Sequence, residues 1–303
     1  MQDSQIQLAD GGANPTSPLH LPAKAHQRII REKHALEHDP LINEKRAAAS
    51  SFRNAWVREV DNETAKTIIL KYEWLGTMGT TDHRFGLYFG DYLAGVVCFG
   101  RTAGTKTAAS ICGPQYAGLV RTLNRGACVH WAPRPSASFL INRACRLMSE
   151  KGFYVFIAYS DPEAGEVGTV YQAANWLYCG TTGAGSSMFI WAGKPVKPTA
   201  LHGRTGIERR ILECKDGKPR DERNIQHMIR IRAKVESYAT LCTRRELKER
   251  LVAEGFVFYK TQAKHRYLNL VGDKATVTEL RAALRWSVFP YPKRRATQVL
   301  GLQ

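Results

Sequence analysis

Residues 153–161 read Phe-Tyr-Val-Phe-Ile-Ala-Tyr-Ser-Asp. The first seven are apolar or aromatic and favour β structure, so they predict a short strand that is buried on both faces. In the preceding segment, residues 136–151, the apolar side chains recur on one helical stripe. Ser136 is placed to cap the start of this helix and Gly152 to end it. A helix that leads into a buried strand predicts a parallel step within the sheet.

The segments on either side of this helix and strand extend the sheet. Gly90-Asp91 separates two apolar runs and is a hairpin signal, while the chain after Asp161 predicts a short helix over 169–176. The predicted strands are 85–89, 92–99, about 119–131, 153–159, a strand from Leu177, and 188–191. Several antiparallel strands followed by strand, helix, strand, helix and strand predict an α+β fold with a mixed central sheet and flanking helices.

Charge and composition divide the chain into three predicted parts. Residues 1–50 form a mobile tail and charged helices, residues 51–195 a catalytic core, and residues 196–303 a basic α/β extension packed on the core. Residues 201–303 carry 23 Lys and Arg against 11 Asp and Glu, which is +12 of the total +17. Such a surface attracts phosphate backbones, although a face that merely confers solubility is the alternative. The extension is predicted to hold a linker at 194–198, a helix from Thr243, strands at 256–260 and 266–271, and a helix at 277–286.

Composition also excludes several classes of protein. No run of apolar residues reaches the roughly 18 that a membrane span needs, and the N-terminus lacks a secretory pattern, so a cytoplasmic protein without a membrane partner is expected. The seven cysteines include no CxxC pair and no close Cys/His set, so neither zinc ligands nor disulfides are expected. No metal site is predicted.

The end of the central strand holds the first candidate site. Asp161 follows the predicted strand, where sheets of this kind present catalytic groups, and a carboxylate there can accept a proton. Tyr171 lies ten residues later on the next helix, where its phenol could act as an acid. The alternative is that Asp161 caps that helix and Tyr171 belongs to the core, and the spacing alone does not choose between them. The candidate catalytic residues are Tyr159, Ser160, Asp161 and Tyr171.

Two further clusters indicate phosphate binding. The strand near 119–131 leads through prolines to a helix N-terminus, where free N–H groups and the helix dipole favour a coenzyme pyrophosphate. The candidate donor-binding residues are Asn124, Arg125, Arg134, Ser136 and Ser138. Every helix has such an end, so an ordinary helix start is the alternative. Basic and aromatic residues also alternate from Lys260 to Tyr267, and together with the basic run from Arg209 to Lys234 this pattern suits contact with nucleic acid. His83 and His130 are weaker acid/base candidates, since neither has a visible partner.

Four motifs carry a family resemblance. Leu123-Asn-Arg125, Tyr159-Ser-Asp161, Gly168-Thr-Val-Tyr-Gln-Ala173 and Trp176-x-Tyr178-x-Gly180 resemble phage proteins of the Mom DNA-modification type. These are similar to acyl-CoA N-acyltransferases of the GNAT fold, and they derivatise the exocyclic N6 of adenine in DNA. The resemblance implies a GNAT-like mixed sheet, with Asp161 and Tyr171 at the family's catalytic acidic and tyrosine positions. The usual GNAT pyrophosphate loop is absent, and Lys71-Tyr72 stands where the family has a histidine.

The resemblance implies a transferase that adds a small acyl-derived or aminoacyl-derived group to adenine N6 in phage DNA and so protects it from host restriction. It further implies an acyl-CoA donor, such as acetyl-CoA, or another activated acyl donor, double-stranded DNA as partner, a bacterial host cytoplasm, and a homodimer as one form of assembly. The predicted nucleic-acid-binding residues are Arg121, Arg244, Arg245, Lys264, His265, Arg266, Tyr267, Lys293 and Arg294. Two alternatives stay open: an N-acyltransferase acting on tRNA, protein or a small amine, and a non-catalytic DNA-binding protein.

Overall fold

The computed structural model describes residues 27–183, 187–191, 194–196, 257–260 and 262–293. The strands are β1 (Ala55–Glu59), β2 (His83–Phe89), β3 (Tyr92–Gly100), β4 (Val120–Cys128), β5 (Val155–Ser160), β6 (Leu177–Thr181), β7 (Ser187–Trp191), β8 (Lys194–Val196), β9 (Val257–Lys260) and β10 (His265–Leu270). The α-helices are α1 (Gln27–His34), α2 (Ile42–Ala48), α3 (Asn62–Tyr72), α4 (Thr105–Cys112), α5 (Ser136–Ser149), α6 (Thr169–Ala173) and α7 (Lys274–Ala282).

Seven strands form the central sheet, in the order β1-β2-β3-β4-β5-β10-β6. The β4–β5 pair is parallel, and the other pairs are antiparallel. The predicted α+β fold with a mixed sheet is therefore confirmed. Strand β10 comes from the part of the sequence assigned to the basic extension, yet it lies between β5 and β6 in the core sheet. Strands β8, β7 and β9 form a separate three-stranded sheet.

Strand β5 is buried on both faces, as its sequence predicted. Phe156 and Ala158 pack in the cluster that includes α3 and α5. Val155 and Ile157 pack in the cluster on the other face, which includes α4 and α7. Successive side chains of a strand point to opposite faces, so an unbroken apolar run is what two covered faces require.

A bulge in β4 opens the sheet at one end. The parallel ladder ends at Leu123 and Ala158. Beyond that point β4 stays paired with β3, and the register shifts so that Asn124 is the extra residue between Leu123 and Arg125. A bulge bends its strand and increases the local twist. The carboxyl ends of β4 and β5 therefore separate, and a cleft forms between them.

Several predicted boundaries need correction. Ser136 is the first residue of α5 and does not cap it, because Pro135 occupies the cap position and no side chain caps the helix there. Helix α6 ends at Ala173, earlier than predicted, since Asn175 turns the backbone at φ 60°. The linker predicted at 194–198 contains β8. The last predicted helix starts earlier, as α7, because Asp273 caps the N–H of Thr276 at 2.7 Å.

Other predicted elements are confirmed, namely the two short N-terminal helices, the hairpin around Gly90-Asp91 and strands β7, β9 and β10. The predicted tail at 1–23 and the helix from Thr243 lie outside the described residues.

Candidate active site

A cavity of about 220 Å³ lies at the separated ends of β4 and β5. Its walls come from β3, β4, α5, α1 and the segment between β5 and α6. The lining residues are Gln27, Arg28, Arg31, Val97, Leu123, Gly126, Ala127, Cys128, Ala137, Leu140, Ile141, Ser160, Glu166, Val167, Gly168, Thr169, Val170 and Tyr171. The strand and helix walls are largely apolar, so the ionisable groups are concentrated where α1 and the 160–171 segment meet the cavity.

Asp161 is buried at the end of β5, with 4% of its surface exposed. Its Oδ1 accepts a hydrogen bond from the Glu163 N–H at 3.0 Å, and its Oδ2 lies 3.5 Å from Lys264 Nζ. It therefore caps the 3-10 turn of residues 162–164, not α6. A buried charge is costly unless it is paired, and the contact with Lys264 supplies that pairing for Asp161.

Glu166 is the site residue that the sequence analysis missed. It lines the cavity, and in the sequence it lies between Asp161 and Tyr171. Burial raises the pKa of its carboxyl to about 7, and the negative charges of Glu73 and Asp161 act in the same direction. Lys264 lowers the pKa, though by less. The only signal in the sequence is a carboxylate within the Gly165–Gly168 loop that joins the two motif halves.

Tyr171 lies beside Glu166 on the cavity wall. Its ring packs against Trp176 and Tyr267, with centroids 5.3 and 5.1 Å away. Burial raises the pKa of its phenol, and the charges of Glu166 and Glu73 raise it further. The hydroxyl therefore stays protonated near neutral pH and can donate a proton. Tyr171 is a core aromatic that also lines the cavity, and its role as an acid stays a prediction.

Tyr267 fixes the loop that carries Glu166. It is fully buried, its hydroxyl donates to the Val167 carbonyl, and Gln172 Nε2 donates to that hydroxyl at 3.2 Å. Gly168 has φ +70°, and a Cβ there would lie 2.3 Å from Tyr267 Cε2. Tyr267 is buried and positions the site from inside, and its contact with nucleic acid stays a prediction.

Asn124 and Arg125 hold a loop instead of lining the cavity. Asn124 Nδ2 donates to the Thr80 carbonyl at 2.7 Å, and Arg125 Nε donates to the Thr77 carbonyl at 2.6 Å. Arg125 also lies 3.8 Å from the carboxylate of Glu73, which is 8% exposed. Both side chains contact the segment between α3 and β2, and their role in donor binding stays a prediction.

The start of α5 keeps its other candidates. Ser136 is buried, and its hydroxyl has no hydrogen-bond partner in the described part of the chain. Ser138 donates to the Pro135 carbonyl at 3.0 Å, and Arg134 is exposed. On the cavity wall, the buried hydroxyl of Ser160 also has no partner among the described residues. Two buried, unsatisfied hydroxyls are uncommon, and each can accept a ligand's hydrogen bond.

Tyr159 does not join this group. It packs with the cluster on the opposite face of the sheet from Ser160, as alternation along β5 requires. The catalytic role of Tyr159 stays a prediction, and its side chain packs away from the cavity. His83 lies 3.6 Å from Glu59, and His130 Nδ1 lies 3.1 Å from the Tyr72 hydroxyl. Both histidines have partners, and neither lines the cavity.

Some of the predicted nucleic-acid-binding side chains pack against neighbouring rings, and others are exposed. The Arg121 guanidinium lies 3.7 Å from the Phe153 ring centroid, and that of Arg266 lies 4.5 Å from the ring of Trp286. His265 Nδ1 lies 2.9 Å from the Tyr178 hydroxyl. Lys264 is 45% exposed at its side chain, and Lys293 is exposed. Arg244, Arg245 and Arg294 lie outside the described residues.

Two classes of feature are absent from the part of the chain that the structure describes. No group of three or more His, Cys, Asp or Glu side chains is arranged to hold a metal ion. No helix there is both long and apolar enough to cross a membrane. The five cysteines within those ranges are free and buried.

The model of the Mom protein family matches residues 54–218, which is more than half of the chain. The chain belongs to the Mom protein family. The matched region contains β4, β5, Asp161, Glu166 and Tyr171 and most of the residues that line the cavity, whereas the lining residues of α1 lie outside it. No curated protein sequence matches the chain.

The solved structures that match include acetyltransferases at low similarity. An N-acetyltransferase from Staphylococcus aureus is 15% identical, with a TM-score of 0.32, over 42% of this chain and 86% of its own. A Bacillus subtilis acetyltransferase in complex with CoA is 9% identical, with a TM-score of 0.34, over 72% of this chain and 99% of its own. The IAA acetyltransferase from Bacillus cereus is 12% identical, with a TM-score of 0.30, over 47% of this chain and 93% of its own.

Proposed function

We propose that this protein is a DNA-modifying transferase that places a small acyl-derived or aminoacyl-derived group on the exocyclic N6 of adenine. Membership of the Mom family supports the proposal. The observation that carries it is the cavity at the ends of β4 and β5, which places Glu166, Tyr171 and the buried Ser160 on one wall. Acyl transfer to an amine needs a proton acceptor and a proton donor at one site, and this wall supplies both.

The cavity fits an acyl-CoA donor in three respects. Its β4 and α5 walls are largely apolar, which suits the methylene and methyl groups of a pantetheine arm. The α5 N-terminus has Ser136 unsatisfied, and free N–H groups at such an end favour phosphate. Ser160 offers a buried hydroxyl to a carbonyl group. When bound, an acyl-CoA supplies an activated acyl group. Exposed Arg134 and the free N–H groups at the start of α5 would hold its phosphates, and Ser160 would face its reactive end.

The side chains in and beside the cavity can activate a weakly nucleophilic acceptor. The N6 amine of adenine is a poor nucleophile because its lone pair is delocalised into the ring. Asp161 would orient the amine indirectly, because its bonds to the Glu163 N–H and to Lys264 anchor the start of the 160–171 segment that lines the cavity. Tyr171 would give its phenolic proton to the leaving atom, since its raised pKa keeps the hydroxyl protonated at neutral pH. The amine is out of reach in a stacked duplex, so the base must be extruded into a pocket.

Co-expression with a plasmid tests the proposal. Nucleoside mass spectrometry of the recovered DNA should show a deoxyadenosine of increased mass. Asp161→Asn and Tyr171→Phe should lower its yield by about 100-fold, the scale of a lost acid or base. Asp273→Asn is the matched control for the first change, because Asp273 only caps α7 and asparagine caps equally well. Tyr92→Phe is the control for the second, since Tyr92 bonds to Glu44 away from the cavity.

Unmodified plasmid DNA in cells that contain folded wild-type protein would refute the proposal. Recovery of the added group on tRNA or protein, with the DNA unchanged, would assign the same cavity to a different acceptor. Modified DNA that persists in both Asp161→Asn and Tyr171→Phe would show that these residues do not carry the chemistry.

A further inference from the structure

We infer that Glu166 is the general base of the reaction and takes the proton from the acceptor amine. The inference rests on the proposed function and adds a residue to it. Glu166 lines the cavity, whereas Asp161 does not. Both oxygens of Asp161 are engaged, one by the Glu163 N–H and the other by Lys264. The carboxylate of Glu166 accepts a hydrogen bond from the Asp161 N–H, and a carboxylate has further acceptor sites that a substrate can use.

The loop that carries Glu166 is held from both sides. The Glu166 N–H donates to the Asp161 carbonyl at 3.2 Å. One residue later, the Val167 carbonyl accepts from the Tyr267 hydroxyl and, at 3.0 Å, from Gln172 Nε2. A catalytic base needs to be fixed within a fraction of an ångström, and backbone anchors on neighbouring residues provide that. The same contacts tie Glu166 to the helix that bears Tyr171.

The charges around Glu166 suit a base that works near neutral pH. Glu73 and Asp161 are negative groups that raise its pKa, and Lys264 lowers it. Arg28 and Arg31 of α1 line the same cavity, and Tyr171 is the neutral acid beside it. Burial with these neighbours sets the pKa of Glu166 at about 7. A base is most effective when its pKa lies near the working pH, because it is then both ionised and basic enough to accept the proton.

The proton balance of the transfer closes within the site. The N–H bond of the amine breaks, and its proton passes to a carboxylate oxygen of Glu166. The nitrogen electron pair forms the bond to the acyl carbon. The bond from that carbon to the leaving atom breaks, and its electron pair takes the proton of the Tyr171 hydroxyl. Glu166 then returns a proton to the Tyr171 phenolate, which restores both groups.

The test compares purified wild-type protein with Glu166→Gln and Glu166→Asp. Unmodified plasmid DNA is the acceptor, and undialysed extract of the plasmid-free bacterial host supplies the donor, so its identity need not be known. Initial rates of formation of the modified nucleoside are measured from about pH 6 to about pH 8.5. Glu163→Gln is the matched control, since Glu163 lies in the same turn, does not line the cavity, and its bond to the Gln262 N–H survives the change.

The wild-type rate should rise with pH through about 7. Glu166→Gln should lower the rate by about 100-fold and abolish the rise, and Glu166→Asp should recover part of the rate. Lys264→Gln should move the rise to higher pH, because Lys264 lowers the pKa of Glu166. A purely structural role for Glu166 predicts no such shift.

Two results would overturn the inference while the proposed function stands. One is a Glu166→Gln rate within about threefold of wild type with the same pH dependence. The other is a wild-type rate that is flat through neutral pH. Wild-type protein that modifies no DNA at any pH would refute the proposed function itself, and the inference with it.

Discussion

Gly168→Ala should be among the most damaging small substitutions in this protein. Gly168 has φ +70°, and the new Cβ would lie 2.3 Å from Cε2 and 2.6 Å from Cζ of the Tyr267 ring. That ring cannot retreat easily, because Tyr267 is fully buried and packs against both Tyr171 and Tyr178. The substitution therefore combines backbone strain with a clash in the core.

The two effects can be separated in magnitude. A left-handed backbone costs a residue with a Cβ about 1–2 kcal/mol. Forcing an extra carbon into a packed core costs about 1–3 kcal/mol. Together they predict a loss of about 2–5 kcal/mol from a total of about 5–15 kcal/mol for a native domain. Gly90→Ala is the matched control, since Gly90 has φ +56° with nothing within 4 Å of the added carbon.

Equilibrium urea unfolding of wild type, Gly168→Ala and Gly90→Ala measures both quantities. The Gly90 variant should lose only the backbone part, and the Gly168 variant should lose about 1–3 kcal/mol more. DNA modification should fall further in the Gly168 variant, because the displaced loop carries Glu166. Equal free energies of unfolding for the two variants would refute the idea that Tyr267 packs against this loop.

Three further predictions concern charge. Glu166→Gln should raise the free energy of unfolding by about 2 kcal/mol above pH 7 and leave it unchanged below about pH 4.5. The reason is that the ionised carboxyl destabilises the folded wild type, whereas the protonated carboxyl and the glutamine amide are both neutral. Urea titrations over a pH series would measure the difference. Arg125→Met should cost about 3 kcal/mol by leaving Glu73 buried and unpaired, and Glu73→Gln in the same chain should recover part of it; strict additivity would contradict the pairing. Cys98 and Cys128 should stay unmodified by a thiol reagent in native protein at pH 8, since burial raises both pKa values to about 12, and rapid labelling in peptide maps would contradict their burial.

Much of the fold could be predicted from local patterns. The apolar run that forms β5, the stripe of α5 and the turn at Gly90-Asp91 each indicate their element within a few neighbouring residues. Boundaries failed where competing local contacts decided them, as at Pro135 before α5 and at Asn175 after α6. The position of β10 between β5 and β6 could not be predicted, because no local pattern specifies a partner that lies about 100 residues away.

The sequence by itself determined the chemistry that is available at this site, since it places Ser160, Asp161 and Tyr171 on one short strand–loop–helix segment. Only the tertiary structure decided which of these side chains line the cavity and how burial shifts their pKa values. The bulge in β4 opens the cavity, Tyr267 arrives from β10 to fix the loop, and burial beside Glu73 and Asp161 turns Glu166 into a carboxyl that titrates near neutral pH. These effects depend on distances between residues that are remote in the sequence and on their desolvation, which local sequence patterns do not specify.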